Sequence, residues 1–399
     1  MPGRTHDSEL TDKAGDTRAG MYPSGQTQLL LVSSDPRWGE AVESATSGRS
    51  DLAVSACDAR SALVRLAGGD HVSHLLVEER CAGGLLDELI ELAAAHADRS
   101  TRLVILGGPP REDSQAVPEI DAAAVRRALC RASPDRTSPA RSVHATDLHD
   151  ALSVPLIGAH YQPIVRLLDR SPVALEVLAR MRHPAHGTLL PNRFVPQMED
   201  AGLAGPLTRL VCTLAFADLT APPLLQSGLG ITLNFPLDVL LCPHALDTLD
   251  AQREAAGVAA TQVVVELTES RPVENVAELG RALERLRARG YGAAIDDAGP
   301  AVPDLAPLLD MPFTCLKLDK AIIQGSEHSA EALDFLQRTA AAAQARGMRV
   351  IAEGIESGTV WDLMLSLGLD EAQGFFVARP LPATAVPVWL EAWQGAPPP

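Results

Sequence analysis

Lysine is almost missing from this chain of 399 residues: it stands only at Lys13, Lys317 and Lys320, and arginine supplies the remainder of the 34 basic side chains. Any lysine inside an apolar segment is therefore held there against the compositional trend. Paired cysteine spacing is missing as well. The six cysteines (Cys57, Cys81, Cys130, Cys212, Cys242 and Cys315) form no CxxC motif, which argues against a zinc ribbon or a thioredoxin-type redox pair and leaves reduced, mostly buried thiols. Net positive charge is missing too, the balance being −17. A general nucleic-acid binder is normally basic, because phosphate neutralisation supplies most of that affinity. No DNA partner is expected, and any nucleotide ligand should be small and held locally through metal ions. Nor does any apolar run approach the ~18–20 residues of a membrane span. The polar start MPGRTHDSELTDKAGD has no signal-peptide core, so no membrane span and a cytoplasmic location are expected.

What is present is 46% hydrophobic residues over a length that suits two domains. Residues 1–26 are polar and aperiodic and read as a disordered leader. From Thr27, short apolar strands (TQLLLVSS, DLAVSA, SHLLVEE, RLVILGG) alternate with amphipathic helices. Continuous apolar strands between helices argue for a parallel sheet covered on both faces, so residues 27–132 are expected to form a small doubly wound α/β domain. Residues 133–154 open on a Pro-, Ser- and Arg-rich stretch and read as a linker or a frayed linker helix. A second alternation fills 155–394, leaving 395–399 as a tail. Its strands include ITLNF, QVVVELTE, YGAAIDDA, TCLKLD, MRVIAEG and EAQGFF, and two of its helices end in Arg-Gly, a cation followed by a C-cap glycine. At least six βα units over this length suit a (β/α)8 TIM-type barrel, with an open doubly wound sheet as the alternative.

Polar residues recur at the ends of those strands: Glu176, Asn234, Glu266, Asp296 with Asp297, Lys317, Glu353 and Gln373. The carboxyl ends of parallel strands converge on the active site in barrels and open α/β sheets. Carboxylates gathered there repel one another unless cations intervene. The ligands are hard oxygens, so the implied metal is Mg2+ or Mn2+, and the adjacent aspartates suggest one residue bridging two ions. Lys317 stands inside an apolar strand, where a lone ammonium is costly without partners. Each position has a bland alternative as an N-cap, a loop carboxylate or a snorkelling lysine, but the series as a whole is poorly explained that way.

In this order the motifs resemble the EAL family of cyclic di-GMP phosphodiesterases. The match comprises YQPIVRL (161–167), EVLAR (176–180), the RHP…G…P…F.P…E..GL pattern from Arg182 to Leu203, ELTE (266–269), IDD (295–297), LKLD (316–319), AEGIE (352–356) and QGFFVARPLP (373–382). The resemblance implies an EAL-like barrel that binds cyclic di-GMP, uses two metal ions and opens one phosphodiester to give linear pGpG. It places Glu176, Asn234, Glu266 and Asp296 on the first ion, and Asp296 with Asp297 on the second, with Glu353 nearby. Lys317 would orient or polarise water, and Gln373 would help place substrate and water. Gln162, Arg180, Asp319, Arg379 and Pro380 would meet the dinucleotide. Glu269 would anchor the loop after the aspartate pair, and a homodimer through the barrel is implied.

Two departures bear on turnover. The loop after the aspartates reads DAGPAVPDL where the family usually has DFGTGYSSL, and Val177 replaces the alanine of the signature. Prolines fix φ and remove N–H donors, so a stiffer loop is expected. The valine could shift Glu176, and ~1 Å of misplacement can cost ~100-fold in rate. A catalytically weak or inactive receptor for the same dinucleotide, and a scaffold acting through protein contacts, therefore stand beside the enzyme reading. The N-terminal domain resembles a response-regulator receiver in strand–helix order only. Ser33-Ser34 occupies the place of the acidic pair, Glu78 or Glu79 that of the acceptor, and Gly107 or Gly108 that of the hydroxyl. The expectation is a pseudo-receiver that is not phosphorylated and serves dimerisation or docking of an unknown protein partner.

Overall fold

The computed structural model describes residues 27–49, 52–67, 72–82, 85–95, 101–108, 114–118, 120–130, 145–153, 156–183, 187–268, 276–300 and 305–395. Near the N-terminus, β1 (Thr27–Val32), β2 (Leu52–Cys57), β3 (His74–Glu78), β4 (Arg102–Leu106) and β5 (Ser114–Val117) form a sheet in the order β2-β1-β3-β4-β5. All of its pairings are parallel. Strand alternation divides its core between two faces. Leu29 and Leu31 pack with Trp38, Val42 and Val125 on one side. Leu30 and Val32 pack with Leu63, Leu66 and Leu89 on the other. The short β5 was not among the strands read from the sequence, because SQAV carries little apolar pattern.

The second unit opens with β6 (Ile157–Arg166) and β7 (Pro172–His183), followed by β8 (Gly187–Leu189), β9 (Gly230–Pro236), β10 (Val263–Thr268), β11 (Gly292–Ala298), β12 (Cys315–Leu318), β13 (Arg349–Ala352), β14 (Glu371–Ala372) and β15 (Leu381–Pro382). Strands β6-β14-β13-β12-β11-β10-β9-β7 run in that order, and β6 also pairs with β7. The ring of eight is thereby closed, which removes the open-sheet alternative. One strand departs from a regular (β/α)8 pattern: β6 is antiparallel to both of its neighbours. The cause is local. The connection from β6 to β7 is a tight turn, with Arg170 at φ +60 and its N–H bonded to the Arg166 carbonyl, so no helix intervenes to reverse the chain.

Helix Ala145–Ser153 falls in the stretch read as linker, and it buries Leu148 and Ala151 against Ile157, Met181 and Phe194 of the barrel region. The apolar face of the N-terminal sheet that carries helix Ala59–Ala67 is continuous with the barrel's own core.

Close backbone approach fixes one turn at the barrel mouth. Gly374 has φ +156, and a Cβ there would lie 2.2 Å from the Ile355 carbonyl oxygen, which is itself bonded to Phe376 N–H. Replacing Gly374 with alanine should cost roughly 1–3 kcal/mol through overpacking and lower the thermal midpoint. A melting curve that matches the wild type would show that the turn has room to relax.

Candidate active site

The strand period of two sorts the barrel interior into layers. Ile164, Ala294, Cys315 and Ile351 form an apolar floor joined by Ala174 and Val264. Two residues further along the same strands stand Glu176, Glu266, Asp296, Lys317 and Glu353, the polar residues singled out at the strand ends. Register places Asn234 beside Glu266 and Glu176 opposite Gln162. The structure therefore brings the strand-end series to one mouth.

Lys317 is the hub. Its side chain is 1% exposed, and Nζ lies 2.7 Å from Glu353 Oε1, 2.9 Å from Asp296 Oδ1, 3.0 Å from Glu266 Oε2 and 3.7 Å from Glu176 Oε2. Burial opposes the charge on Lys317, but the surrounding carboxylates outweigh it and hold its pKa well above the usual lysine value. Burial likewise raises Glu266, reinforced by Glu176 and Asp296 and opposed by Lys317. Burial pushes Glu353 up to about 8, against the pull of Lys317. Burial and the neighbouring acids together outweigh the one ammonium at Glu266 and Glu353, and these two resist losing their protons.

Around this core, Asn234 Nδ2 donates to Glu176 Oε1 at 3.1 Å. Gln373 Nε2 donates to Glu176 Oε2 and, at 3.1 Å, to Gln162 Oε1, while Gln162 Nε2 donates to the Ala378 carbonyl at 3.1 Å. The strand β11 breaks register between Ile295 and Ala298, and Asp297 sits there with φ +50. A bulge re-aims side chains; here it lets consecutive aspartates serve one site. Carboxylate oxygens of Asp296, Asp297 and Glu353 come within 4.8 Å of one another. Burial, then the adjacent Asp296, pushes Asp297 up to about 6. Glu266 Oε1 and Gln373 Oε1 are buried without a hydrogen bond. Clustered acidic oxygens and orphaned acceptors are the donor set a hard divalent cation takes, so the residues fit a metal site.

A model of the EAL domain matches residues 145–380. The chain belongs to the EAL domain family. It is 32% identical over 255 residues to the cyclic di-GMP phosphodiesterase NbdA of Pseudomonas aeruginosa, an alignment covering 63% of this chain and 33% of that protein. It is also 33% identical over 226 residues to the cyclic di-GMP phosphodiesterase RocR of the same organism, covering 56% of this chain and 57% of RocR. The chain thus spans only part of these relatives. Among solved structures, the MucR phosphodiesterase in complex with c-di-GMP superposes with a TM-score of 0.57 at 27% identity, over 60% of this chain and 98% of that one.

The EAL residues expected at the substrate are placed unevenly. Arg180 lies four residues beyond Glu176 on β7 and is 5% exposed. Its Nη1 donates to the Ala179 carbonyl at 2.9 Å, its Nε has no hydrogen bond, and burial lowers its pKa to about 10. Asp319 caps helix Lys320–Gly325 by accepting from Ala321 N–H at 2.9 Å, so it also has the structural role that a strand-end aspartate ordinarily fills. Arg379 lays its guanidinium 4.0 Å from the centre of the Phe375 ring, and Pro380 follows it into β15. Glu269, like Ala301 and Pro303, lies outside the described residues.

The valine of the signature points away from this chemistry. Val177 is 2% exposed and belongs to the apolar core, and Glu176 still reaches Asn234, Gln373 and Lys317. Sequence reasoning missed a cavity of about 210 Å³ beside Glu176 and Asn234, walled by Val195, Leu207 and Val211 with Glu199. Its signal was the apolar spacing of the helices 191–200 and 204–220 on either side of Gly202.

Two outcomes follow from the charge arrangement. Lys317→Met leaves buried carboxylates without their cation, which should destabilise the metal-free protein by roughly 3–5 kcal/mol; excess Mg2+ should restore much of the loss in a thermal melt, and an unchanged melt without metal would refute the hub role. Glu353 has a folded pKa near 8, above its ordinary 4.5. The unfolded chain therefore binds fewer protons between those values, and the contribution of Glu353 to stability falls as pH rises through that window. Comparing wild type with Glu353→Gln from pH 5 to 8 without metal, the variant should gain relative stability with rising pH, and a constant difference would contradict the shift.

Proposed function

We propose that the EAL barrel hydrolyses one phosphodiester bond of cyclic di-GMP to give linear pGpG, with two Mg2+ or Mn2+ ions in the strand-end cluster. The observation that carries this reading is the gathering of Glu176, Glu266, Asp296 and Glu353 within ion-pair reach of one buried lysine, beside a cavity that shares Glu176 and Asn234 as walls. Glu176, Asn234, Glu266 and Asp296 would hold one ion, and Asp296 with Asp297 the other, Glu353 standing close. Divalent ions held there would supply Lewis-acid activation of water and offset the charge on the phosphodiester.

The chain's own groups do the positioning. Lys317 presents an ammonium fixed on four sides, suited to hold and polarise the attacking water. Gln373 Oε1, buried and without a hydrogen bond, can accept from that water while its Nε2 keeps Glu176 in place. The attacking water gives up one proton as its oxygen bonds to phosphorus, the P–O3′ bond breaks, and the leaving O3′ takes up one proton, leaving a 5′-phosphate and a 3′-hydroxyl. Arg180, Gln162, Arg379, Pro380 and Asp319 would meet the dinucleotide, and the apolar cavity by Leu207 and Val211 suits a base. Names and complexes of the relatives, NbdA, RocR and MucR, support the choice of substrate.

A second reading, a receptor that binds cyclic di-GMP without turning it over, is favoured by one feature: Asp297 holds a left-handed backbone just before Ala298 and Pro300, in place of the glycine- and serine-rich loop usual in the family. The N-terminal domain takes the part of a pseudo-receiver. At the end of β3, Glu78 already accepts from Ser33 Oγ at 2.7 Å and Cys81 Sγ at 3.1 Å, and no aspartate acceptor stands there. Docking of a protein partner and a homodimeric, cytoplasmic protein complete the proposal.

Titrating Mg2+ into purified protein with cyclic di-GMP, while measuring pGpG and ligand affinity together, tests it. Turnover in the wild type and loss of at least ~100-fold in Glu176→Ala is the expected result. Micromolar binding without turnover would select the receptor, and neither binding nor turnover would refute both.

A further inference from the structure

Helices end with carbonyls that have no partner inside the helix. For Ala67, at the end of helix Ala59–Ala67 in the N-terminal domain, the partner comes from the barrel: Arg379 N–H donates to the Ala67 carbonyl at 2.8 Å. The peptide unit that makes this bond has a second face. Its carbonyl, on Ala378, accepts Gln162 Nε2 at 3.1 Å. That bond turns Gln162 Oε1 toward Gln373 Nε2, 3.1 Å away, and the same Gln373 nitrogen donates to Glu176 Oε2. Four hydrogen bonds thus run without interruption from the N-terminal domain to a carboxylate of the candidate site.

The surroundings make this tie a fixed one. Helix Ala59–Ala67 packs on helix Val386–Gly395, and helix Leu86–Ala95 packs on β15, the strand that begins two residues after Arg379 and pairs with β6 at Tyr161 and His160. Ala62, Leu63, Leu66 and Ala67 are fully buried and lie in one apolar cluster with Leu381, Val386 and Trp389 of the barrel. Arg60 forms an ion pair with Glu391 at the edge of this contact.

We propose that the N-terminal domain is a positioning element of the active site: by holding the Ala378–Arg379 peptide, it fixes the two glutamine amides and through them the orientation of Glu176. This rests on the reading of Glu176 as a metal ligand. Groups that orient a ligand from behind typically change metal affinity ~10–100-fold when lost. Undocking or shifting helix 59–67 releases the peptide plane, lets Gln162 and Gln373 rotate, and weakens the metal site without altering any ligand. A partner binding the N-terminal domain could act on the barrel by this route.

The test uses the full chain and two readouts that need no turnover: amide hydrogen exchange in the segment 374–382, and Mn2+ affinity by electron paramagnetic resonance. Ala67→Asp drives a charge into the buried contact. Glu391→Arg sets like charges against each other at its edge, and the exchanged pair Arg60→Glu with Glu391→Arg restores the attraction while keeping the fold. Ala67→Asp should speed exchange of the Arg379 amide at least ~10-fold and weaken Mn2+ binding ~10-fold. Glu391→Arg should move both readouts in the same direction by a few-fold, and the exchanged pair should return them to within about two-fold of wild type. Wild-type exchange at 374–382 in Ala67→Asp overturns the tie. Faster exchange with unchanged Mn2+ affinity overturns its reach to Glu176. Absence of Mn2+ binding by the wild type would instead sink the metal reading, with the exchange arm still reporting on the contact itself.

Discussion

Everything at the barrel mouth depends on like charge confined in a small, buried volume. Glu266 is fully buried, and Glu176 and Asp296 are nearly so. Carboxylates in such a place lose hydration that only protons, an internal cation or metal ions can replace. Among the described residues one cation, Lys317, is in contact with four of them. It is too little for full neutralisation, and burial, reinforced by the neighbouring acids, raises the pKa of Glu353 and of Asp297. A site balanced in this way stays assembled by itself yet keeps an unmet demand for positive charge. Arginine, the cation that this chain otherwise uses almost exclusively, would bring a planar fork into a space that suits a point charge.

The rest of the barrel serves that confinement. An apolar floor of Ile164, Ala294, Cys315 and Ile351 bars water from below, and the bulge at Asp297 turns two neighbouring carboxylates toward one place. Gln373, whose amide nitrogen donates to both Glu176 and Gln162, and Gln162, whose amide accepts that bond and donates to Ala378, connect the ring to the loop 374–382 and onward to the N-terminal domain. The domain arrangement and the chemistry are therefore joined through polar contacts rather than laid side by side.

Much of this was legible in the sequence, for physical reasons. Strands buried on both faces read as continuous apolar runs, so a single lysine or a pair of aspartates at their ends stands out. The arginine-glycine helix endings at Gly290 and Gly347 appear as left-handed caps, with φ +90 and +78. The expectation that Val177 could displace Glu176 carried no information about direction; alternation sends that side chain to the opposite face, into the core. What could not be read was long-range and backbone-borne. The antiparallel β6 follows from a tight turn at Asp169 to Pro172, whose turn residues mark a reversal but not the direction in which the barrel closes, β5 has too short a pattern, and the bond between Ala67 and Arg379 joins carbonyl to amide across domains, where side-chain identity says nothing.

The central claim is that this mouth is a divalent-metal site, and the most direct measurement is an anomalous-difference map from crystals grown with Mn2+. The account predicts two peaks about 3.5–4 Å apart, one among Glu176, Asn234, Glu266 and Asp296 and the other against Asp296 and Asp297. A map without peaks at saturating Mn2+, with Lys317 still the one cation among those carboxylates, would contradict it.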